Sequence, residues 1–90
     1  FSLSPNYPNP FNSETKIKFS VPALKLSQDS PVRISVFDVS GREVDILANG
    51  YFKPGDYELT YNAGKLSSGM YFCKLVSGNF AVTTKMILMK

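Results

Sequence analysis

The sequence predicts an all-β fold, an antiparallel sandwich of about seven short strands. Segments in which apolar and polar residues alternate recur along the 90 residues, and this is the pattern of strands with one buried face. Turn dipeptides containing glycine separate these segments at the spacing of a sandwich. No window keeps the 3.6-residue period together with capping residues, so no helix longer than one turn is predicted.

The length and composition fit one domain over residues 1–90. Since the chain does not begin with Met, we expect it to be cut from a longer protein. The 43% apolar content favours a folded core over a disordered tail. The net charge is only +3 and the basic residues form no run, so nucleic acid is not an expected partner. No stretch approaches the ~20 apolar residues that cross a bilayer, and no secretory signal peptide opens the chain.

The first 14 residues are predicted to be a stiff, irregular lead-in to a sandwich over residues 15–90. This segment holds three of the six prolines, and proline fixes φ and extends the residue before it. Tyr7 and Phe11 are expected to cover one end of the core from this rigid segment.

Two alternating strands are predicted next, over residues 15–21 and 32–39, with a polar loop from Lys25 to Ser30 between them. Their inward-facing residues are expected to be Ile17, Phe19, Val21, Val32, Ile34 and Val36. A turn at residues 40–42 then leads into a strand over residues 43–47, with Val44 and Ile46 facing inward.

The second half is predicted to hold three more strands and the turns between them. Asn49-Gly50 and Pro54-Gly55 are expected to be turns. A strand over residues 56–62 then places Tyr57, Leu59 and Tyr61 on one face, and residues 66–69 form a short connector. The chain ends in a hairpin whose strands cover residues 70–77 and 80–89, joined by a tight turn at Gly78-Asn79.

The composition argues against an enzyme. There is no histidine, which removes the usual general base of Ser and Cys hydrolases and the commonest metal ligand. The pairs Glu43/Asp45 and Asp56/Glu58 share a face at strand spacing, so a glycosidase-like pair is conceivable, and Asp38 with Asp45 is the best candidate for calcium. Solvated carboxylates beside turns are the ordinary interpretation of these pairs. No catalytic residue, metal or cofactor is therefore predicted.

Two further features have alternative interpretations. Tyr51, Phe52 and Tyr57 would supply a carbohydrate-binding platform if they were exposed together, although aromatic residues at strand spacing are more often core. Cys73 is the only cysteine, so no internal disulfide can form, and its apolar neighbours predict a small buried hydrophobe rather than a reactive thiol.

Four motifs follow one another along nearly the whole chain. The first covers residues 6–12 and 15–17, the second 36–44, the third 66–72 and the fourth 85–90. In this order they resemble the C-terminal sorting domain of the type IX (Por) secretion system of Bacteroidetes and relatives. They are also similar to the immunoglobulin-like domain of the flagellar hook-capping family, which makes an immunoglobulin-like sandwich the expected fold. Met70 departs from the branched aliphatic residue usual at its position, and nothing carries over onto the variable loop at residues 23–31.

The resemblance implies a C-terminal export address on an N-terminal cargo protein. Its partners would be the outer-membrane translocon and, in some members, a surface peptidase that joins the cargo to lipopolysaccharide. The location would be the cell surface or the medium, reached through the periplasm. The sorting and recognition residues would be Gly69, Tyr71, Lys85, Met86, Ile87, Leu88, Met89 and Lys90, and the structural turn residues Pro8, Asn9, Pro10, Phe11, Gly41 and Arg42.

The apolar run between Lys85 and Lys90 has two interpretations on physical grounds. It is either a core strand that seals the sandwich or a strand buried on both faces or paired edge-on with another protein, with flanking lysines limiting uncontrolled pairing. The alternatives for the whole chain are a cell-surface module that binds carbohydrate or protein, and an immunoglobulin-like spacer or flagellar cap component.

Overall fold

The computed structural model describes residues 1–23 and 29–90, and it forms two antiparallel sheets packed as a sandwich. The strands are β1 (Ser2–Leu3), β2 (Glu14–Val21), β3 (Ser30–Phe37), β4 (Glu43–Phe52), β5 (Gly55–Asn62), β6 (Gly69–Ser77) and β7 (Phe80–Leu88). One sheet has the order β1-β2-β5 and the other β4-β3-β6-β7. The predicted all-β sandwich is confirmed. Residues 25–28 of the predicted polar loop lie outside the described residues.

The core forms between the sheets from the residues that the alternation predicted to face inward. All six such side chains of β2 and β3 are buried, namely Ile17, Phe19, Val21, Val32, Ile34 and Val36. Burying each of them contributes about 1.5–3 kcal/mol relative to exposure, so these two central strands anchor the fold. No helix in residues 1–23 and 29–90 has the length and apolar character to cross a membrane.

Strand β4 differs from its prediction in length and in facing. It runs on to Phe52, so the turn predicted at Asn49-Gly50 is wrong, and Ile46 is 46% exposed rather than buried. The cause is a β-bulge: Ile34 pairs with Ala48 and the next residue pairs with Ile46, which leaves Leu47 as an extra residue. A bulge reverses the parity of facing, so Leu47 and Ala48 pack toward the core in place of Ile46.

The C-terminal hairpin forms as predicted. Strands β6 and β7 pair without a register shift from Gly69↔Leu88 to Ser77↔Phe80, and Gly78 and Asn79 make the turn. Gly78 has φ +57° whereas Asn79 does not have positive φ, and this order of signs belongs to a type II′ turn. The hairpin places β7 at one edge of the four-stranded sheet.

The lead-in is more ordered than an irregular segment. Its strand β1 pairs with β2, and Phe11 is 2% exposed within the core. Tyr7 does not cover the core as expected, because its side chain is 80% exposed. Its backbone instead exchanges two hydrogen bonds of 2.9 Å with Lys16 and so fixes the path of the lead-in beside β2.

Candidate functional site

The last motif forms the end of β7, and its side chains alternate between two environments. Met86 and Leu88 point into the core and are 0% and 1% exposed. Lys85 and Ile87 point away from the core, and Met89 beyond the strand is 58% exposed. The apolar run therefore seals the sandwich with one face, and it is not buried on both faces.

The free edge of this part of β7 is occupied by the lead-in. The backbone N–H of Phe11 donates to the Ile87 carbonyl at 2.9 Å, and the N–H of Met89 donates to the Phe11 carbonyl at 2.8 Å. The Asn9 side chain accepts from the Ile87 N–H at 3.0 Å and donates to the Lys85 carbonyl at 3.2 Å. Because the lead-in already satisfies these backbone groups, another strand cannot add to the edge here while the lead-in stays in place.

Buried polar contacts hold the lead-in in the shape that presents Asn9 and Phe11. The Thr15 hydroxyl donates to the Pro8 carbonyl at 2.9 Å, and the Asn6 amide donates to both groups at 3.1 Å. Asn6 and Thr15 are both buried, and buried polar groups of this kind are costly unless paired. The first motif is thus a folded clamp on the last motif.

The second motif is a turn organised by Asp38. Its carboxylate accepts from the Ser40 hydroxyl at 2.6 Å and from the Ser40 and Arg42 backbone N–H groups at 3.0 Å, and the Arg42 Nε lies 3.3 Å from it. The Ser40 hydroxyl, followed by the Arg42 N–H, lowers the pKa of Asp38. Gly41 has φ +87°, a conformation that other residues adopt only with strain.

The turn carboxylate has hydrogen bonds of its own, and the acid predicted to join it in binding calcium is held by other neighbours. Asp45, its expected partner, instead accepts from the Tyr61 hydroxyl at 3.1 Å and lies 3.8 Å from the Lys65 ammonium. In residues 1–23 and 29–90 no three metal-binding side chains come together. Each acid is therefore engaged by its own neighbours.

The third motif fixes the start of β6. The Tyr71 ring is buried, and its hydroxyl donates to the Ser67 carbonyl at 2.7 Å. Gly69 has φ +156°, and a Cβ at this position would meet no atom within 4 Å, so the backbone conformation rather than space favours glycine there. The end of the chain returns to this region, where the Lys90 N–H donates to the Ser68 hydroxyl at 3.0 Å and its ammonium donates to the Gly64 carbonyl.

The carboxylate pair Glu43/Asp45 does not share a face. Glu43 accepts from the Arg33 guanidinium at 2.8 and 3.0 Å on the outside of the sheet, and its pKa is lowered by hydrogen bonds from Ser35 and then Arg33. Asp45 instead contacts Tyr61 of the opposite sheet. A second register shift of β3 against β4, between Val36 and Phe37, separates them. The other pair, on β5, lies on the outer face as predicted, and one member pairs weakly with Lys18 at 3.9 Å.

The three candidate aromatic residues for carbohydrate binding do not form a platform. Phe52 and Tyr57 pack edge-to-face at 5.2 Å and each contacts the buried Phe19 ring, at 5.6 and 5.1 Å. Tyr51 points to the outside of β4 and is exposed alone. Two of the three rings are therefore core packing.

Cys73 lies in the core as predicted, and burial raises the pKa of its thiol to about 12. Because the thiolate is the reactive form, we expect iodoacetamide at about pH 8 to modify the folded protein roughly a thousandfold more slowly than the urea-unfolded protein. Mass spectrometry of the alkylated chain gives the two rates. Equal rates would contradict the burial of this side chain.

The outer faces of the two sheets differ in a way that sequence reasoning missed. The three-stranded sheet exposes alternating polar side chains, among them Ser2, Lys16, Lys18, Asp56, Glu58 and Thr60. The four-stranded sheet instead turns apolar side chains outward: Ile46 and Met70 are exposed, and Phe37, Phe72, Val76 and Ile87 are half-buried. The signal that could have revealed this is the sequence of β6. Apolar residues occur there at both odd and even positions, although only the side chains on one face of the strand line the core.

Comparison with known proteins agrees with this arrangement of motifs. A family model described as a secretion system C-terminal sorting domain matches residues 6–89, which includes all four motifs except the final lysine. A search of curated proteins found no match to the chain.

Proposed function

The chain belongs to the secretion system C-terminal sorting domain family, and we propose that the type IX translocon recognises it as a folded domain through the outward-facing side of its last strand. Members of this family are C-terminal sorting signals for type IX secretion, so the protein that carries this domain is exported to the cell surface or secreted. In our proposal the domain is non-catalytic, and its N-terminal cargo reaches the translocon through the periplasm. A surface peptidase then removes the domain in those proteins that are anchored.

The observation that carries this proposal is that alternate residues of the last motif face the core and the outside of the sandwich. Met86 and Leu88 are fully buried in the core, so a folded domain cannot offer them to a partner. The outward-facing members of the motif are Lys85 and Met89, which are exposed, and Ile87, which is half-buried. Edge pairing is a weaker alternative, since Asn9 and Phe11 already bind that edge.

The remaining motif residues support recognition indirectly in this proposal. Tyr71 and Gly69 set the start of β6, which pairs with the end of β7 through Tyr71↔Met86 and Gly69↔Leu88. Pro8, Asn9, Pro10 and Phe11 hold the other side of the same strand, and Gly41 and Arg42 close a neighbouring turn. Each would keep the outward-facing residues in place.

An export assay tests the function. A reporter with a periplasmic signal peptide and this domain at its C-terminus is expected to appear in the medium of type IX-competent cells. In an isogenic strain without the translocon it should remain in the periplasm. Retention in both strains would contradict the proposed function.

The same reporter tests the recognition residues. The double variant Ile87→Thr/Met89→Gln keeps a β-branched residue at position 87 and a side chain of similar length at position 89 but removes apolar surface, and we expect about tenfold less reporter in the medium. Tyr7→Ser removes an exposed aromatic side chain elsewhere, and its export should equal the wild type. Thermal unfolding of the purified variants checks that all are folded, and normal export of the folded double variant would refute this assignment.

A further inference from the structure

The outer face of the four-stranded sheet is an apolar surface that no element of the described chain covers. Its rows run across the sheet through paired residues, for example Phe37↔Phe72 in the middle and Met70↔Ile87 toward the end of the hairpin. Several of the largest exposed apolar side chains lie on it or at its rim, namely Val39, Ile46, Tyr51 and Met70. An apolar patch of this kind, framed by polar residues, marks an interaction site rather than an ordinary surface.

This face has a net positive charge, because its acidic side chains are paired with arginines and two lysines are left over. Arg33 is neutralised by Glu43 at 2.8 Å, and Asp38 at the rim by Arg42 at 3.3 Å. Lys74 and Lys85 remain, and neither lies in an ion pair within residues 1–23 and 29–90. They flank the Phe72 side chain, because Lys74 lies two residues along β6 from Phe72 and Lys85 pairs with Phe72 across the hairpin.

A shallow hollow lies where the apolar and cationic parts of the face meet. Phe37, Val39, Phe72 and Thr83 line it together with Lys74 and with two residues of the adjacent turn, Asp38 and Gly41. The Asp38 carboxylate there is already paired with Arg42. A side chain with an apolar body fits this hollow, and a carboxylate beside it would lie next to the Lys74 ammonium. A buried anchor in a hollow with a charge at its rim is the usual arrangement of an interface hot spot.

We infer that this four-stranded face is the docking surface for a protein segment that presents apolar side chains together with carboxylates. The inference deepens the proposed function and rests on it, since the translocon supplies the partner. The face extends the outward-facing residues of β7 across β6 and β3 to the rim at β4. Over its described strands, β1, β2 and β5, the outer face of the other sheet is polar instead.

The charges favour this occupant over the alternatives. A second copy docking through the same face would bring Lys74 and Lys85 against the same lysines of its partner, and like charges across an interface are costly. Two free lysines would also neutralise only two phosphates, which gives little of the electrostatic affinity that nucleic-acid binding depends on. Carboxylates on a protein partner pair with both lysines and leave the apolar side chains to fill the hollow.

Charge reversal in the export assay tests the inference. Lys74→Glu/Lys85→Glu is expected to reduce the secreted reporter about tenfold. Lys74→Arg/Lys85→Arg keeps the charge and should retain export. Lys16→Glu/Lys18→Glu makes the same change of net charge on the polar face of the other sheet and should export like the wild type. Thermal unfolding confirms that each variant is folded.

Photocrosslinking identifies the class of partner. p-Benzoylphenylalanine at position 72 is expected to give a protein adduct in type IX-competent cells, and the same group at position 60 on the polar face should not. The adduct should disappear in the Lys74→Glu/Lys85→Glu background and persist in the arginine background.

The outcomes separate the inference from the proposed function. Failure of the wild-type reporter to leave the cell refutes the proposed function, whereas export of wild type and charge-reversed variant alike refutes only this docking surface. Two results would replace the acidic protein partner with another occupant. One is a dimer in sedimentation that Ile46→Thr/Met70→Thr dissociates, and the other is binding to vesicles of phosphatidylglycerol and phosphatidylcholine that the charge reversal abolishes.

Discussion

Phe11→Ala is expected to lower the free energy of unfolding by about 3–5 kcal/mol, the range for removing a buried phenylalanine. The side chain is 2% exposed and belongs to the core although it lies in the proline-rich lead-in. Its backbone also bridges the last strand through Ile87 and Met89, so the cavity forms beside the contact between the first and last motifs. Urea denaturation of the purified domain measures the change.

The matched control is Tyr7→Ala. Tyr7 is an aromatic residue of the same lead-in but is 80% exposed, and its loss should change the free energy of unfolding by less than about 0.5 kcal/mol. If both substitutions had the same small effect, the lead-in would not unfold with the sandwich. Its clamp on β7 would then contribute nothing to stability.

The strands that could be predicted from sequence are those whose alternation is uninterrupted. Ile17 and Phe19 in β2, and Val32 and Ile34 in β3, all face the core as the period of two requires. The facing of Ile46 could not be predicted, because a β-bulge depends on pairing with a strand that is distant in sequence. The turn predicted at Asn49-Gly50 was wrong for a similar reason, because pairing with β3 holds this dipeptide in an extended strand.

The candidate site was predictable as a set of motifs but not as an arrangement. Resemblance placed the four motifs in order, and the separate turn and strand patterns were readable from the residues. The contact between Asn9 and Lys85 spans 76 positions of sequence, and no local pattern reports a contact at that separation. The apolar outer face was missed because no facing was assigned to the residues of β6, a strand in which apolar side chains occur on both sides.

Leu88→Ala is expected to lower the free energy of unfolding by about 2–5 kcal/mol. Leu88 is 1% exposed and packs in the core at the point where β7 meets both β6 and the lead-in. A small domain has a total stability of only about 5–15 kcal/mol, so this one substitution removes a large share of it. Met89→Ala, at a 58% exposed neighbour, should change stability by less than about 0.5 kcal/mol.

The contrast between these neighbours shows why a deletion of residues 85–90 is a poor test of recognition. That deletion removes Met86 and Leu88 from the core together with the outward-facing residues, so loss of export would follow from unfolding alone. Growth at a lower temperature, closer to that of maximum stability, raises the folded fraction of a destabilised variant. Export of Leu88→Ala should therefore recover in the cold, whereas Ile87→Thr/Met89→Gln should stay defective at every temperature. If both recovered equally, the last strand would act in export only by completing the fold.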